Sequence, residues 1–352
     1  MRRWLAGALI AMLSAACAED VRDAPFIDES RRDPGEQREV EEPVEYRRRT
    51  DLEGYGLPRA GQPGLADLIA LMPDDDIAAG ASDIWAAPGD APPCPHPNRV
   101  TILDDLPMTI EAVVTLHPRQ YLKVPTCDQD ERNYGSFVVE DDTGGIVVLR
   151  NSRVTPFVVG DRVKLTVRAL MFTFRSPSTR VVLAADVERL EPPDGERHPV
   201  LFEDLDERFS LADITETRRI SGVVIQRPDN TNFGSMTVAS HVVEPPAEPA
   251  EPSVNCRETC PSTCTRNQCG AASSPQCRAI CDAVCASGVS ATAEIREAVP
   301  VCWAVGVDQE LQRRGFGPAV GTMVEVFGPV FDSFNLQMWV QRLGQVRELD
   351  EQ

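Results

Sequence analysis

The residues of this chain best equipped for chemistry are its eleven cysteines. Setting aside Cys17 near the N-terminus leaves ten, an even number that suits disulfides in an oxidising compartment. Six of these form two C-x3-C-x3-C runs, Cys256, Cys260, Cys264 and Cys277, Cys281, Cys285, around an Arg266 to Gln276 loop. On helices, each run puts its thiols on one slowly drifting face. Facing positions in an antiparallel hairpin share a constant sum of residue numbers. Cys256 with Cys285, Cys260 with Cys281, and Cys264 with Cys277 meet that condition, so they bridge like rungs. Pro261 lies inside the first run and endangers the Cys256 rung most, by delaying or kinking that helix. Of the remainder, Cys94 is paired with Cys127, and Cys269 with Cys302, lashing the hairpin loop to a strand. Zinc competes for such thiols, but structural zinc shows C-x2-C pairs and a reducing compartment, so no metal is expected.

Other candidate chemistry is thin. Asp142-Thr143-Gly144 follows a hydrophobic run as an aspartic protease motif does, yet that reaction needs two carboxylates sharing a proton. No second Asp-Thr-Gly exists, and a hairpin turn accounts for the residues. His96, His117, His198 and His241 are scattered without metal-ligand spacing. Nucleophile-elbow, phosphate-loop and dinucleotide-binding signatures are absent, so no catalytic residue and no cofactor is assigned. Tyr121, Lys123, Phe172, Phe174 and Arg175 are the ligand-contact candidates, aromatics beside cations that stack on sugars or bases. The competing reading folds these aromatics onto a barrel rim. Trp303 and Trp339 read as core.

The elements that must position these residues are short strands. Tyr134 to Leu149 (YGSFVVEDDTGGIVVL) reads as two β-rich runs around a turn in which Gly144 and Gly145 supply conformational freedom. Further strands are expected over Ile110 to Leu116, Arg162 to Ala169 and Arg180 to Leu190. Val163, Leu165 and Val167 alternate with polar residues, as in a sheet with one wet face. Arg162, Lys164 and Arg168 then share the outward face. Five such strands in about ninety residues suggest a small closed barrel. The order repeats: Ile220 to Ile225 answers the first strand, Phe233-Gly234-Ser235-Met236 answers Tyr134-Gly135-Ser136-Phe137, and Val320-Gly321-Thr322-Met323-Val324 answers Val159-Gly160-Asp161-Arg162-Val163. Val346 to Leu349 closes the copy as Val187 to Leu190 closes the original. A tandem duplication follows.

The hairpin and the V-G-D-R-V-K-L strand resemble OB-fold domains, as in anticodon-binding and helicase-wedge barrels. The resemblance covers Thr101 to Glu191 well and His198 to Asp350 weakly. It implies a binding face across strands two and three, edged by the first and fourth loops. The short Asn151 to Val158 connection departs from OB folds that carry a helix there, and fold alone names no ligand. The fold class is therefore mainly β, with two tandem OB-like five-stranded barrels at 98–192 and 198–350. A proline-rich and cysteine-rich insertion, 241–300, interrupts the second and resembles disulfide-stapled helical hairpins of small secreted proteins.

Ahead of the barrels, MRRWLAGALIAMLSAAC has a positive start and an apolar core too short to span a bilayer. Its Leu13-Ser14-Ala15-Ala16-Cys17 end resembles a bacterial lipobox, with Ser14 where a larger aliphatic is usual. That resemblance implies cleavage before Cys17 and its acylation, so 1–17 is a lipoprotein signal peptide. Ala18 lacks the aspartate that in some bacteria retains lipoproteins at the inner membrane, which points to the outer one. Residues 18–97 read as an acidic, proline-rich tether with a short helix near Gly64 to Met72.

Net charge is −20, against any partner that attracts through its own negative charge, so nucleic acid is set aside. Thr109 to Leu190 alone is nearly balanced, with eleven Lys/Arg against ten Asp/Glu. The expected function is a lipid-anchored, non-catalytic binding or scaffold protein of the bacterial envelope. Its partners would be the membrane, through the lipid, and an envelope protein or glycan. The alternatives are an OB module binding oligosaccharide or nucleic acid, and an unrecognised hydrolase.

Overall fold

Residues 44–51, 56–71, 99–101, 105–120, 124–125, 132–133, 136–149, 157–173, 176–190, 197–228, 234–308, 311–312, 314–332 and 336–349 are described by a computed structural model. Two elements precede the barrels: strand β1, Tyr46–Arg48, and helix α1, Leu65–Ala70. The first barrel comprises β2, Arg99–Thr101; β3, Met108–Gln120; the small pair β4, Val124–Pro125, and β5, Arg132–Asn133; β6, Ser136–Glu140; β7, Gly145–Leu149; β8, Arg162–Thr173; and β9, Ser176–Leu190. Strands β3, β6, β7, β9 and β8 pair in that cyclic order, β8 closing onto β3. The β7–β9 pairing is parallel and the others antiparallel. Period-2 alternation sends Val163, Leu165 and Val167 inward against Val114, Phe137, Val139 and Ile146.

The second barrel follows β10, Val200–Asp204, and is built from β11, Thr217–Gln226, and β12, Ser235–Ala239. Three helices interrupt it: α2, Val254–Arg266; α3, Pro275–Ala286; and α4, Thr292–Ala298. It resumes with β13, Cys302–Val307; β14, Met323–Asp332; β15, Leu336–Val340; and β16, Val346–Glu348. The cycle β11, β12, β13, β15, β14 repeats the order of the first barrel, again with its third and fifth strands parallel. Each is an OB-like barrel, and the second core gathers Trp303, Val305, Met236, Val326 and Met338.

The tether expected over 18–97 is corrected in its described part. β1 adds in parallel to β10, and Tyr46 stacks on Phe327 of β14 at 4.9 Å. Leu57 is enclosed with Val113 and Leu201, and α1 drops Leu65 and Leu68 into the first core. These apolar residues follow no period, because each fits a separate site on the barrels instead of forming one face of its own. Residues 44–51 and 56–71 thus form a strap that touches both barrels.

Candidate functional site

The Asp-Thr-Gly turn is a cap. One Asp141 oxygen accepts the N–H groups of Thr143 and Gly144 at 2.7 and 3.0 Å and the Thr143 hydroxyl at 2.6 Å. Its other oxygen accepts Leu65 N–H at 2.7 Å, and Thr143 Oγ1 accepts Ala66 N–H at 3.0 Å. Asp67 reaches back to Gly64 N–H at 2.9 Å, but the N-cap Gly64 has no side chain to take the next amides, so the turn satisfies those of Leu65 and Ala66.

Glu140, one residue earlier, crosses to the second barrel. Its carboxylate accepts Thr217 N–H at 3.1 Å and the Thr217 hydroxyl at 2.5 Å, with Arg49 of the strap at 3.6 Å. Burial pushes this carboxyl up to about 7, against the hydrogen bonds from Thr217 and the charge of Arg49, which lower it. Alongside, Thr215 donates its hydroxyl to Gly145 O at 2.6 Å, and a Cβ on Gly145 would fall 2.0 Å from Thr215 O. Arg218 nearby is ringed by Glu203, Asp213 and Glu216. A carboxyl titrating near neutrality invites an acid–base role, but Glu140 is 0% exposed. It cannot reach a substrate from there, and it acts as a joint.

Uncharged polar groups gather on the partly covered outer face of β12, β13 and β15. Alternation sends Met236, Val238, Trp303, Val305 and Met338 inward, which leaves Ser235, Thr237, Ala304, Gly306, Gln337 and Trp339 outward. Trp339 lies flat against its register partner Gly306, where a Cβ would sit 2.5 Å from the ring. The Ser235 hydroxyl is 3.5 Å from Gln337 Oε1. Gln226 Oε1 accepts from Thr237 Oγ1 at 3.4 Å and from Gln276 Nε2 at 2.9 Å. Since Gln276 belongs to α3, the hairpin walls this face along one side. The indole N–H of Trp339 and the side-chain amide of Gln341 are covered yet have no hydrogen-bond partner. Hydroxyls, amides and an indole together suit a polar, uncharged ligand held by hydrogen bonds and stacking. Trp339 is therefore no core residue. The alternation in Leu336-Gln337-Met338-Trp339 already carried the signal, since Met338 inward requires Trp339 outward.

Disulfides join Cys256 to Cys285, Cys260 to Cys281 and Cys264 to Cys277 across α2 and α3, and Cys269 to Cys302 on β13. Ser253 and Ser274 cap the two helices by accepting Cys256 and Cys277 N–H, each at 3.1 Å. Pro261 neither delays nor ends α2, which starts two turns before it. The bridges form the hairpin's core, with Ile295 and Val299 of the third helical segment and Ala239 of β12 packed against them.

Of the ligand-contact candidates, Phe172 is in β8, opposite Arg99 and Arg180, instead of a loop. Tyr121, Lys123, Phe174 and Arg175 lie outside the described residues, as do Cys17, Cys94 and Cys127. Arg162 is not a solvated cation: it is 8% exposed and bound to Glu111 at 2.5 Å. His198 is half-buried, and desolvation, then Arg162, holds its pKa below the ordinary value. His241 is exposed, with a ring nitrogen 3.0 Å from Ser240 Oγ. Among the described residues, no three His, Cys, Asp or Glu side chains are placed to hold a metal.

No family model and no curated protein matches the chain. Among solved structures, it is similar to the tetrameric p202 HIN2, at 8% identity over 71% of this chain and 97% of that one, with a TM-score of 0.23. Fission yeast Pot1 with ssDNA shares 12% identity over 71% and 84% of the two chains, with a TM-score of 0.27. The wild-type single-stranded DNA binding protein from Thermus aquaticus shares 12% over 69% and 93%, with a TM-score of 0.17. The exclusion of nucleic acid rested on the charge of the whole chain and is withdrawn. A whole-chain charge of −20 does not describe each barrel, as the near-balance of Thr109 to Leu190 shows.

Proposed function

We propose that this chain is an exported, lipid-anchored and non-catalytic binding protein of a bacterial envelope. Its ligand face is the outer surface of β12, β13 and β15, and its ligand is an oligosaccharide. The observation that carries this reading is the neutral row of Ser235, Thr237, Gln226, Gln276 and Gln337 beside a partly exposed Trp339 that lies flat on Gly306. Export is supported by the four disulfides and by the lipobox-like ending at Cys17.

Calorimetric titration with N-acetylglucosamine oligomers tests the ligand class. Binding is expected, and Trp339→Ala should weaken it at least tenfold, a loss of about 1.4 kcal/mol. Failure to bind at millimolar sugar overturns the oligosaccharide assignment. Single-stranded nucleic acid is the second reading, named for two of the structural neighbours, and a parallel titration with oligo-dT tests it. For anchoring, Cys17→Ala should release the protein from membranes and abolish lipid labelling. Unchanged fractionation, with no lipid on the wild type, sinks that part.

A further inference from the structure

Arginines in the described barrels are mostly committed: Arg48, Arg49, Arg162, Arg189, Arg218 and Arg219 all meet carboxylates. The hairpin differs. A cleft of about 390 Å³ runs along its disulfide rungs, bordered by Pro252, Arg257, Pro261, Arg278, Cys281 and Asp282. Arg257 and Arg278 are exposed, and no described carboxylate engages either guanidinium. The Cys264–Cys277 rung puts Arg278 level with Thr263, six residues along α2 from Arg257. At 1.5 Å per residue the two cations are offset by about 9 Å along the hairpin.

The same hairpin carries an acidic counterpart. Glu244-Pro245-Pro246-Ala247-Glu248-Pro249-Ala250-Glu251-Pro252 leads into α2 with Glu244, Glu248 and Glu251 exposed and equally unengaged. A segment this rich in proline favours the polyproline helix, with three residues per turn and 3.1 Å per residue. Glu248 and Glu251 then share an edge about 9 Å apart, the offset of the two arginines. Between them lie only Pro249 and Ala250, which suits a cleft that has Asp282 between its cations. The segment cannot fill its own cleft, because Ala250 N–H is tied to Ala286 O at 2.8 Å.

We infer that the occupant is a second copy of this chain: the hairpins pair reciprocally, Glu248 and Glu251 of each copy meeting Arg257 and Arg278 of the other. Such a contact is isologous, and so closes as a dimer. The inference does not depend on the ligand face.

Sedimentation velocity on the full-length chain tests it, with Cys17→Ala so that no acyl group drives association. Loading from about 1 to 100 μM should show a monomer–dimer equilibrium that weakens when salt is raised from about 20 to 500 mM. Arg257→Glu/Arg278→Glu and Glu248→Lys/Glu251→Lys should each weaken the dimer at least tenfold. Mixing these two variants should restore it, since each then offers the other a complementary cleft and strip. Association from any other surface would not respond to this exchange. A wild type that stays monomeric at 100 μM in low salt overturns the inference. So does a dimer that neither variant weakens, or a mixture that does not recover.

Discussion

Replacing Glu140 with Gln should stabilise the protein, although it removes a hydrogen-bonded carboxylate. Burial raises this carboxyl from 4.5 to about 7, so the folded protein holds its proton more tightly than the unfolded chain does. Stability therefore falls as pH rises through the window between those values, and above about pH 7 the full cost of ionising a buried group is present. At about 1.4 kcal/mol per pH unit, that cost is of the order of 3 kcal/mol. A glutamine keeps both contacts with Thr217, its oxygen accepting the backbone N–H and its amide donating to the hydroxyl. It forgoes the 3.6 Å approach of Arg49, so a net gain of about 1–2 kcal/mol is expected at pH 8. At pH 5 the gain should have largely vanished, since wild-type Glu140 is then mostly protonated. Urea titrations of both proteins at pH 5, 6, 7 and 8 measure this, and their difference cancels other titrating groups such as Glu216 and His198. A variant less stable than wild type at pH 8, or a difference that does not change with pH, would refute the reasoning.

Three further substitutions probe the joint and the staples. Gly145→Ala puts a methyl 2.0 Å from Thr215 O, so the barrels must separate locally. A loss of at least about 2 kcal/mol is expected by chemical denaturation. Asp141→Ala uncaps α1 and should cost about 1–2 kcal/mol, with faster hydrogen exchange at Leu65 and Ala66 ahead of the rest of the barrel. Removing the middle rung with Cys260→Ser/Cys281→Ser should cost the hairpin about 2–4 kcal/mol, seen as tryptic cleavage after Arg266 or Arg278 that the wild type resists.

Sequence patterns that refer only to their own neighbours were readable. The alternation through Val163, Leu165 and Val167 needs only a strand to be understood, and those side chains are core in β8. The fold class followed from two such strand sets in one order. Residues whose partners lie far along the chain were not readable. Asp141 and Thr143 have the composition of any tight turn, and only α1, some seventy-six residues earlier, explains their oxygens. The short helix near Gly64 to Met72 was legible, but not that its Leu65 and Leu68 enter the core of the first barrel, and Tyr46 needs Phe327 beside it to make sense. Trp339 was misjudged because aromatic character was weighed ahead of its register with Gly306.

The strap also determines how the molecule answers a mechanical load. Any pull on the chain ahead of Val44 is delivered to β1, which runs parallel to β10. A force along that strand loads its hydrogen bonds together in shear, whereas a sideways force peels them singly. Once β1 yields, Tyr46 leaves Phe327 and Arg49 leaves Glu140, and the slack runs on until the buried Leu57 takes the strain. Stretching the chain from its N-terminus should therefore give a first lengthening of no more than about 40 Å before either barrel opens. In that state the barrels stay closed while the Glu140 joint loses its only close cation from the strap, so tension would reach the joint before it reaches either core.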